Sequence, residues 1–157
     1  MHYFCTQNIT RNFTLEELLR SATASRLGIE NTPSVSVLSN LTQLCKRILQ
    51  PLRDAYGKPI IVTSGYRSPE LNKAIGGAKN SQHMRGQAAD IKGTTPLLLP
   101  NNGEVKPTSG NICQENRRLF ELIRQLNLPF DQLIDEKNYS WIHVSFSDKP
   151  RGQVLHL

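Results

Sequence analysis

The sequence is poor in features that mark several protein classes. Its 157 residues include three cysteines, an odd number at wide spacing, which argues against a disulfide framework and favours a reducing compartment. Aromatic residues make up only 6%, and no dense run of lysine and arginine is interleaved with them. No apolar run approaches the roughly 20 residues that cross a bilayer, so we expect no stable membrane insertion.

The composition is that of an ordinary globular protein. Hydrophobic residues make up 38% and charged residues 20%, and the length suits one domain spanning residues 1–157. The net charge of +6 permits an anionic partner, such as nucleic acid, anionic lipid or an acidic wall polymer, without selecting one. The first residues lack a charged segment followed by an apolar stretch, so we expect synthesis in the cytoplasm without a signal peptide.

Helical signals dominate the first third of the chain. Thr14 and Glu17 form a capping box, which predicts a helix start. A longer helix is predicted from about Ser39, and Pro51 within it predicts a kink or an early end. Helical periodicity returns over residues 115–126.

Strand signals follow the first helices. Strands are predicted over residues 59–64 and 87–92, and a hairpin is predicted over 130–136 and 140–146. This order predicts an α+β fold with a small, mostly antiparallel sheet and helices packed on one side. Residues 94–111, rich in proline and glycine, are predicted to be a mobile loop insertion.

Three residues offer the donor atoms of a metal centre. His83, Asp90 and His143 supply two imidazoles and a carboxylate, which suits a catalytic zinc that keeps a fourth position open for water. In a strand, alternate side chains share a face, so His143 points away from the core residues Ile142 and Val144. An adjacent strand would bring His143 beside Asp90.

The motifs around these residues resemble those of a known family. They are Thr63 to Ser68, Leu71-Asn72 through Gly76-Gly77, His-x-x-Gly-x-Ala-x-Asp from His83, and Trp-x-His from Trp141. With them the chain resembles the zinc D-alanyl-D-alanine carboxypeptidase family of peptidoglycan peptidases. It is most similar to the small, phage- and bacterium-encoded branch that includes endolysins. The resemblance implies the zinc fold that the hedgehog signalling domain also has.

The resemblance implies that His83, Asp90 and His143 hold zinc. The zinc would lower the pKa of its bound water, which then acts as the nucleophile, and a general base would take the proton. Several relatives carry that carboxylate three residues before the last histidine, where this chain has Ser140. The chain is instead similar to the wider zinc fold, including the hedgehog signalling domain, in its Phe-Asp-x-x-x-x-Glu strand before the histidine hairpin. This resemblance implies Glu136 as the base, with Asp135 as second choice on the opposite face of its strand.

Four more residues are candidates for substrate binding. Arg67 would bind the terminal carboxylate of the substrate or stabilise the oxyanion, because a guanidinium matches planar anions. Ser81 and Gln82 are candidates for substrate contacts and for hydrogen bonds that fix His83. Trp141 would line the pocket wall.

Two other functions compete with a zinc peptidase. One is a non-catalytic, zinc-stabilised domain that binds cell wall, and the other is a basic nucleic-acid-binding protein, which leaves the three ligands unexplained. We expect a monomeric enzyme that acts on peptidoglycan, without a nucleic-acid partner. Carboxypeptidase and endopeptidase activity both stay open. Without a signal peptide, the enzyme would need an exit route such as a phage lysis system.

Overall fold

The computed structural model describes residues 7–95 and 109–157. Within this part, helices and one five-stranded sheet form the predicted α+β fold. The helices are α1 (Leu15–Leu19), α2 (Ala22–Leu27), α3 (Val35–Leu44), α4 (Gln50–Tyr56), α5 (Pro69–Ala74) and α6 (Ser109–Gln125). The strands are β1 (Ile61–Ser64), β2 (Ala88–Lys92), β3 (Gln132–Glu136), β4 (Trp141–Ser145) and β5 (Gln153–His156).

The strand order in the sheet is β1-β2-β4-β3-β5. Three of the four neighbouring pairs are antiparallel, which confirms the predicted mostly antiparallel sheet, and β3 and β4 form the predicted hairpin. The fourth pair is parallel and joins β3 to β5. Strand β5 was not predicted from the sequence.

The first helix begins as its capping box predicts. The Thr14 hydroxyl accepts a hydrogen bond from the Glu17 backbone N–H, and the Glu17 carboxylate accepts from the Thr14 N–H. Phe13 and Leu18 are both buried in the core beside this turn. Local capping and long-range packing therefore agree at this helix.

The long helical segment differs from the prediction at its start and at Pro51. It begins at Val35 rather than near Ser39, because the Ser34 hydroxyl caps it. Pro51 does not end it. A wider π-helical turn, Cys45–Leu49, joins α3 to α4, and Pro51 is the second residue of α4. Since proline cannot make the usual i→i−4 hydrogen bond, the wider turn lets the helix continue.

The predicted loop over 94–111 lies mostly outside the described residues. Helix α6 begins at Ser109, so the last three residues of that range are helical and the helix starts earlier than the predicted Glu115. Gly110 lies in its first turn, and a single glycine costs a helix only about 1 kcal/mol.

The two faces of the sheet have different surroundings. Ala89, Ile91, Leu133, Ile142 and Val144 are fully buried in a core shared with helices α3, α4 and α6. Asp90, Ile134 and His143 are among the side chains that alternate with them, and these three lie on the other face, where they line a cleft. No helix in the described residues has the length and apolar character that a membrane span requires.

Candidate metal centre

The sheet brings two of the predicted ligands together. Strands β2 and β4 are antiparallel neighbours, and their register pairs Asp90 directly with His143. Because both residues alternate with core residues, their side chains share the cleft face of the sheet. The pairing predicted from the alternation pattern is confirmed.

The third ligand reaches the site from a short 3₁₀ helix, Gln82–Arg85, that precedes β2. Gly86 ends this turn with φ of 68°, a left-handed conformation that glycine adopts without strain. A Cβ at Gly86 would also lie 2.7 Å from the Val37 carbonyl oxygen. The glycine therefore lets the chain reverse tightly between His83 and the strand that carries Asp90.

The His83 ring is held by a backbone carbonyl. Its Nδ1 lies 2.7 Å from the Gly65 carbonyl oxygen, which can only accept, so Nδ1 carries the proton. In the neutral ring this leaves Nε2 as a lone pair, and Nε2 lies 3.3 Å from Asp90 Oδ1. His143 Nδ1 lies 2.9 Å from the same oxygen.

This arrangement fits a cation. A lone pair on His83 Nε2 and a carboxylate oxygen repel each other at this distance unless a proton or a metal ion lies between them. One donor atom from each of His83, Asp90 and His143 lies within 4.8 Å of the others. The hydrogen bond to Gly65 fixes the tautomer of His83, as outer hydrogen bonds do for metal-bound histidines.

A charge pair neutralises the buried carboxylate. Arg67 Nη2 donates to Asp90 Oδ2 at 2.8 Å, and Arg67 Nε donates to the Ser64 hydroxyl at 2.9 Å. Burial alone would raise the pKa of Asp90, but its contacts with the imidazoles of His143 and His83 outweigh burial and hold that pKa well below its usual range. Asp90 is therefore ionised and able to bind a metal at neutral pH.

Thiols do not contribute to this donor set in the described residues. Cys45 lies in the core, where burial first and the charge of Glu17 second raise its thiol pKa to about 12. Two nitrogens and one carboxylate oxygen, without sulfur, match the zinc sites that keep a position open for catalysis.

The metal centre lies in a cleft of about 940 Å³. All four residues predicted to bind substrate line it: Arg67, Ser81, Gln82 and Trp141. The structure gives Ser81 and Gln82 additional structural contacts. The Ser81 hydroxyl accepts from the His83 backbone N–H at 3.3 Å, and Gln82 Nε2 donates to Asp131 Oδ2 at 2.9 Å. Both contacts fix the 3₁₀ turn rather than the imidazole itself.

The two carboxylates considered as general base lie on opposite faces of β3. Glu136 lines the cleft and pairs in register with Trp141, two residues from His143. Asp135 is buried on the other face, where it accepts from the Tyr139 N–H at 3.3 Å and contacts His156 Nδ1. The cleft position favours Glu136, and its role as the base stays a prediction.

Ser140 does not occupy the position of a base. Its hydroxyl donates to the Lys137 carbonyl oxygen at 2.8 Å within the hairpin turn, and it is not among the cleft-lining residues. The residue at this position of the chain therefore supplies no carboxylate to the cleft.

Two residues that support the site, Gly65 and Asp131, were not identified from the sequence. Gly65 holds His83 through its carbonyl, and a Cβ at Gly65 would lie 2.3 Å from the Leu18 carbonyl oxygen, so only glycine fits. Its place in the Ser-Gly-Tyr-Arg motif was the available signal. Asp131, buried beside the cleft, joins Gln82 to the segment after β4. The Phe130-Asp131 pair drew attention to Asp131, but the sequence did not indicate what this residue does.

Comparison with known proteins gives two findings. The family model for peptidase M15 matches residues 11–109. The zinc D-Ala-D-Ala carboxypeptidase of Streptomyces albus G is 41% identical over 81 residues. That alignment covers 51% of this chain and 31% of the relative, so the matched region spans about a third of the relative's length.

The family match and the donor set agree with each other. The match covers His83 and Asp90, and the sheet adds His143 from outside the matched range. Together they confirm the zinc cofactor predicted from the sequence.

Proposed function

Because the chain belongs to the peptidase M15 family, we propose that it is a zinc peptidase acting on peptidoglycan. The proposed reaction is hydrolysis of peptide bonds in stem peptides or crosslinks. The name of the Streptomyces relative, a zinc D-Ala-D-Ala carboxypeptidase, supports this substrate class. An endolysin-like role and a monomeric state are parts of the same proposal.

One observation carries the proposal. The donor atoms of His83, Asp90 and His143 lie within 4.8 Å of one another in a cleft that also holds Glu136 and Arg67. A binding domain stabilised by zinc needs the ligands only. A peptidase also needs a carboxylate and a cation beside them, and this cleft has both.

The chain's own residues can divide the work of hydrolysis. When zinc is bound, it supplies Lewis-acid chemistry, which polarises a carbonyl and acidifies water. Glu136 would accept the proton of the attacking water and deliver it to the leaving amine. Its position two residues along β3 from Ile134, the register partner of His143, and its place in the cleft lining support this role.

Arg67 has two tasks in this proposal. It holds Asp90 through Nη2 and is itself held by Ser64, so its guanidinium is fixed before substrate arrives. A fixed cation beside the metal stabilises negative charge that develops on the scissile carbonyl without reorganisation. Its ion pair with Asp90 favours this role over binding of the carboxylate terminus of the substrate.

The test is digestion of purified peptidoglycan followed by mass spectrometry of the soluble fragments. We expect fragments with a newly exposed D-alanine, activity that EDTA abolishes, and recovery when zinc is added back. Release of free D-alanine alone would identify a carboxypeptidase. Separation of crosslinked stems would identify an endopeptidase.

The control is Glu136→Gln, which keeps the shape of the side chain and removes the base. We expect it to bind zinc and peptidoglycan and to lose turnover. If the wild-type protein binds peptidoglycan and zinc but releases no fragments from several wall types, the domain is a zinc-stabilised binding module and the proposal is wrong.

A further inference from the structure

The charged side chains of the cleft are unevenly paired. Four cations line it, Arg67, Arg85, Lys149 and Arg151, together with three anions, Asp90, Asp131 and Glu136. Arg67 pairs with Asp90, and Arg151 pairs with Asp131. Within the described residues, no ion pair involves either of the other two cations.

The two unpaired cations differ in how they are held. Arg85 donates to neutral acceptors, Gln87 Oε1 at 2.9 Å and the Asn80 carbonyl oxygen at 3.5 Å. Lys149 makes no hydrogen bond in the described part of the chain, and its exposed ammonium is free to meet a ligand. Its neighbour Asp148 does not line the cleft.

A buried carboxylate anchors the segment that carries Lys149. Asp131, 3% exposed, accepts from the Ser147 hydroxyl at 3.3 Å and from the Arg151 backbone N–H and Nε at 3.0 Å each. The Gln153 N–H donates to the Asp131 carbonyl oxygen at 2.9 Å. The loop from Ser147 to Arg151 is therefore fixed on both sides of Lys149.

The same carboxylate ties this loop to the metal centre. Asp131 Oδ2 accepts from Gln82 Nε2, and Gln82 directly precedes the ligand His83. Five donors on one buried aspartate thus set the position of the loop relative to the 3₁₀ turn.

The spacing along β3 separates the loop from the reacting bond. Ile134 pairs with His143, and Asp131 precedes it by three residues, which is about 10 Å along an extended chain. Glu136 lies on the other side of Ile134. A peptide lying along the cleft would therefore meet Glu136 at one end and the side of the cleft where Asp131 anchors the loop about three residues from the scissile bond.

From these observations we propose that the Ser147–Arg151 loop is a substrate-specificity element that recognises an internal carboxylate of the peptide. Lys149 contacts that carboxylate, and Asp131 is a positioning residue that acts through the loop. The inference deepens the proposed function and rests on it. It assigns the cleft a preference for stem peptides whose internal carboxylate is free rather than amidated.

The test measures binding of two uncleavable stem-peptide analogues, with the scissile amide replaced by a ketomethylene group. They differ only in whether an internal carboxylate, two or three residues from that bond, is free or amidated. Trp141 is the sole tryptophan and lines the cleft, so its fluorescence reports occupancy. The zinc-loaded proteins are wild type, Lys149→Ala, Lys149→Arg, Arg85→Ala and, as a matched control, Lys46→Ala on an exposed site outside the cleft.

We expect wild type, Lys149→Arg and Lys46→Ala to bind the free carboxylate about threefold or more tightly than the amide. Lys149→Ala should bind both analogues equally, and added salt should reduce the wild-type preference. The inference is overturned if wild type shows no preference, if Lys149→Ala keeps it, or if Arg85→Ala alone removes it.

The role of Asp131 needs a readout that simple destabilisation would not change. We expect Asp131→Asn to lose the preference and to raise KM for the cleavable acid peptide by a larger factor than it lowers kcat. A thermal midpoint that falls while the preference stays intact would assign Asp131 a structural role only. Ser147→Ala, which removes one anchor of the loop, should weaken the preference in the same direction.

These measurements separate the inference from the proposed function. If wild type prefers the acid analogue but leaves cleavable peptides intact, the proposed peptidase function is wrong and the proposed recognition by the loop stands. If wild type hydrolyses acid and amide peptides with equal kcat/KM, the proposed peptidase function stands and the proposed recognition by the loop is wrong.

Discussion

Asp90 and Asp131 are both buried beside one cleft, and the pKa of each lies below its usual range, yet their neighbours differ. Five donors surround Asp131, two on the side chain of Arg151. On Asp90, Oδ2 accepts a hydrogen bond from the Arg67 guanidinium, and Oδ1 faces the imidazoles of His83 and His143. Asp131 is satisfied by the protein itself.

This difference separates a structural carboxylate from a ligand. A buried charge must be paired and hydrogen-bonded to persist. The Arg151 guanidinium meets that requirement for Asp131 as the protein stands. Arg67 supplies the paired charge for Asp90, but a lone pair on His83 Nε2 faces the other carboxylate oxygen, and a cation between these two atoms would remove their repulsion. The metal centre is therefore the region whose donor atoms are arranged to favour a bound cation.

Replacement of Asp90 should have the largest effect. Asp90→Asn removes a charged donor, and we expect loss of zinc at one equivalent per chain and no turnover above that of the metal-free protein. Atomic absorption after dialysis and a peptidoglycan digest measure the two quantities. Asp131→Asn is the matched control and should keep its zinc. Equal zinc loss in both variants would contradict the claim that Asp90 is a metal ligand and Asp131 is not.

Replacement of the proposed base should have the next largest effect. Glu136→Gln should lower kcat by about 10²- to 10⁴-fold, because proton transfer is lost while the metal site stays intact. Asp135→Asn, on the opposite face of β3, should leave kcat within a few-fold of wild type. Steady-state kinetics with zinc-loaded protein measures both, and the reverse order would assign the base to Asp135.

Gly65→Ala tests the support behind the metal centre. The new methyl group would collide with the Leu18 carbonyl and displace the Gly65 oxygen that orients His83. Loss of such an outer hydrogen bond typically lowers metal affinity by about 10- to 100-fold. Competition with a chelating dye measures the zinc Kd. An unchanged Kd in folded Gly65→Ala protein would show that the Gly65 carbonyl does not orient the ligand.

Asp131→Asn should reduce stability rather than metal binding. It weakens charge-assisted hydrogen bonds to Gln82, Ser147 and Arg151, so we expect a loss of about 1–3 kcal/mol in the free energy of unfolding. Urea denaturation of the metal-free proteins measures it. Loss of less than about 0.5 kcal/mol would contradict the account of this carboxylate as a structural anchor.

We expect the smallest effect from pH, acting on the difference in unfolding free energy between wild type and Asp131→Asn. Hydrogen bonds from Arg151 are the main cause that lowers the pKa of Asp131, and they outweigh burial, which raises it. A carboxylate with a lowered pKa stabilises the fold above the unfolded pKa of about 3.9 and loses this contribution as pH falls below it. The stability difference between wild type and Asp131→Asn should be constant from pH 7 to 5. It should shrink below pH 4.

The metal ligands were predictable because their signals are local. The alternation of Trp141 to Ser145 fixes which side chains leave the core, and the pairing of β2 with β4 then needs no further information. The capping box at Thr14 is equally local. Short-range chemistry therefore predicted most of the sheet and the position of His143 beside Asp90.

The parts that were missed depend on contacts distant in sequence. Strand β5 has only two apolar residues, Val154 and Leu155, and it forms because β3 offers a parallel edge. The Gly65 carbonyl is invisible in a sequence, because every residue carries one. Asp131 accepts a hydrogen bond from Arg151, which lies twenty residues further along the chain, and no periodic pattern links the two.

X-ray absorption spectroscopy of the zinc-loaded protein tests the central claim most directly. The account predicts one zinc per chain, two imidazole nitrogens at about 2.0–2.1 Å, oxygen in the remaining positions and no sulfur. The histidine signal should fall by half in His143→Ala. A sulfur shell near 2.3 Å, or a spectrum unchanged by that substitution, would contradict a zinc centre built from His83, Asp90 and His143.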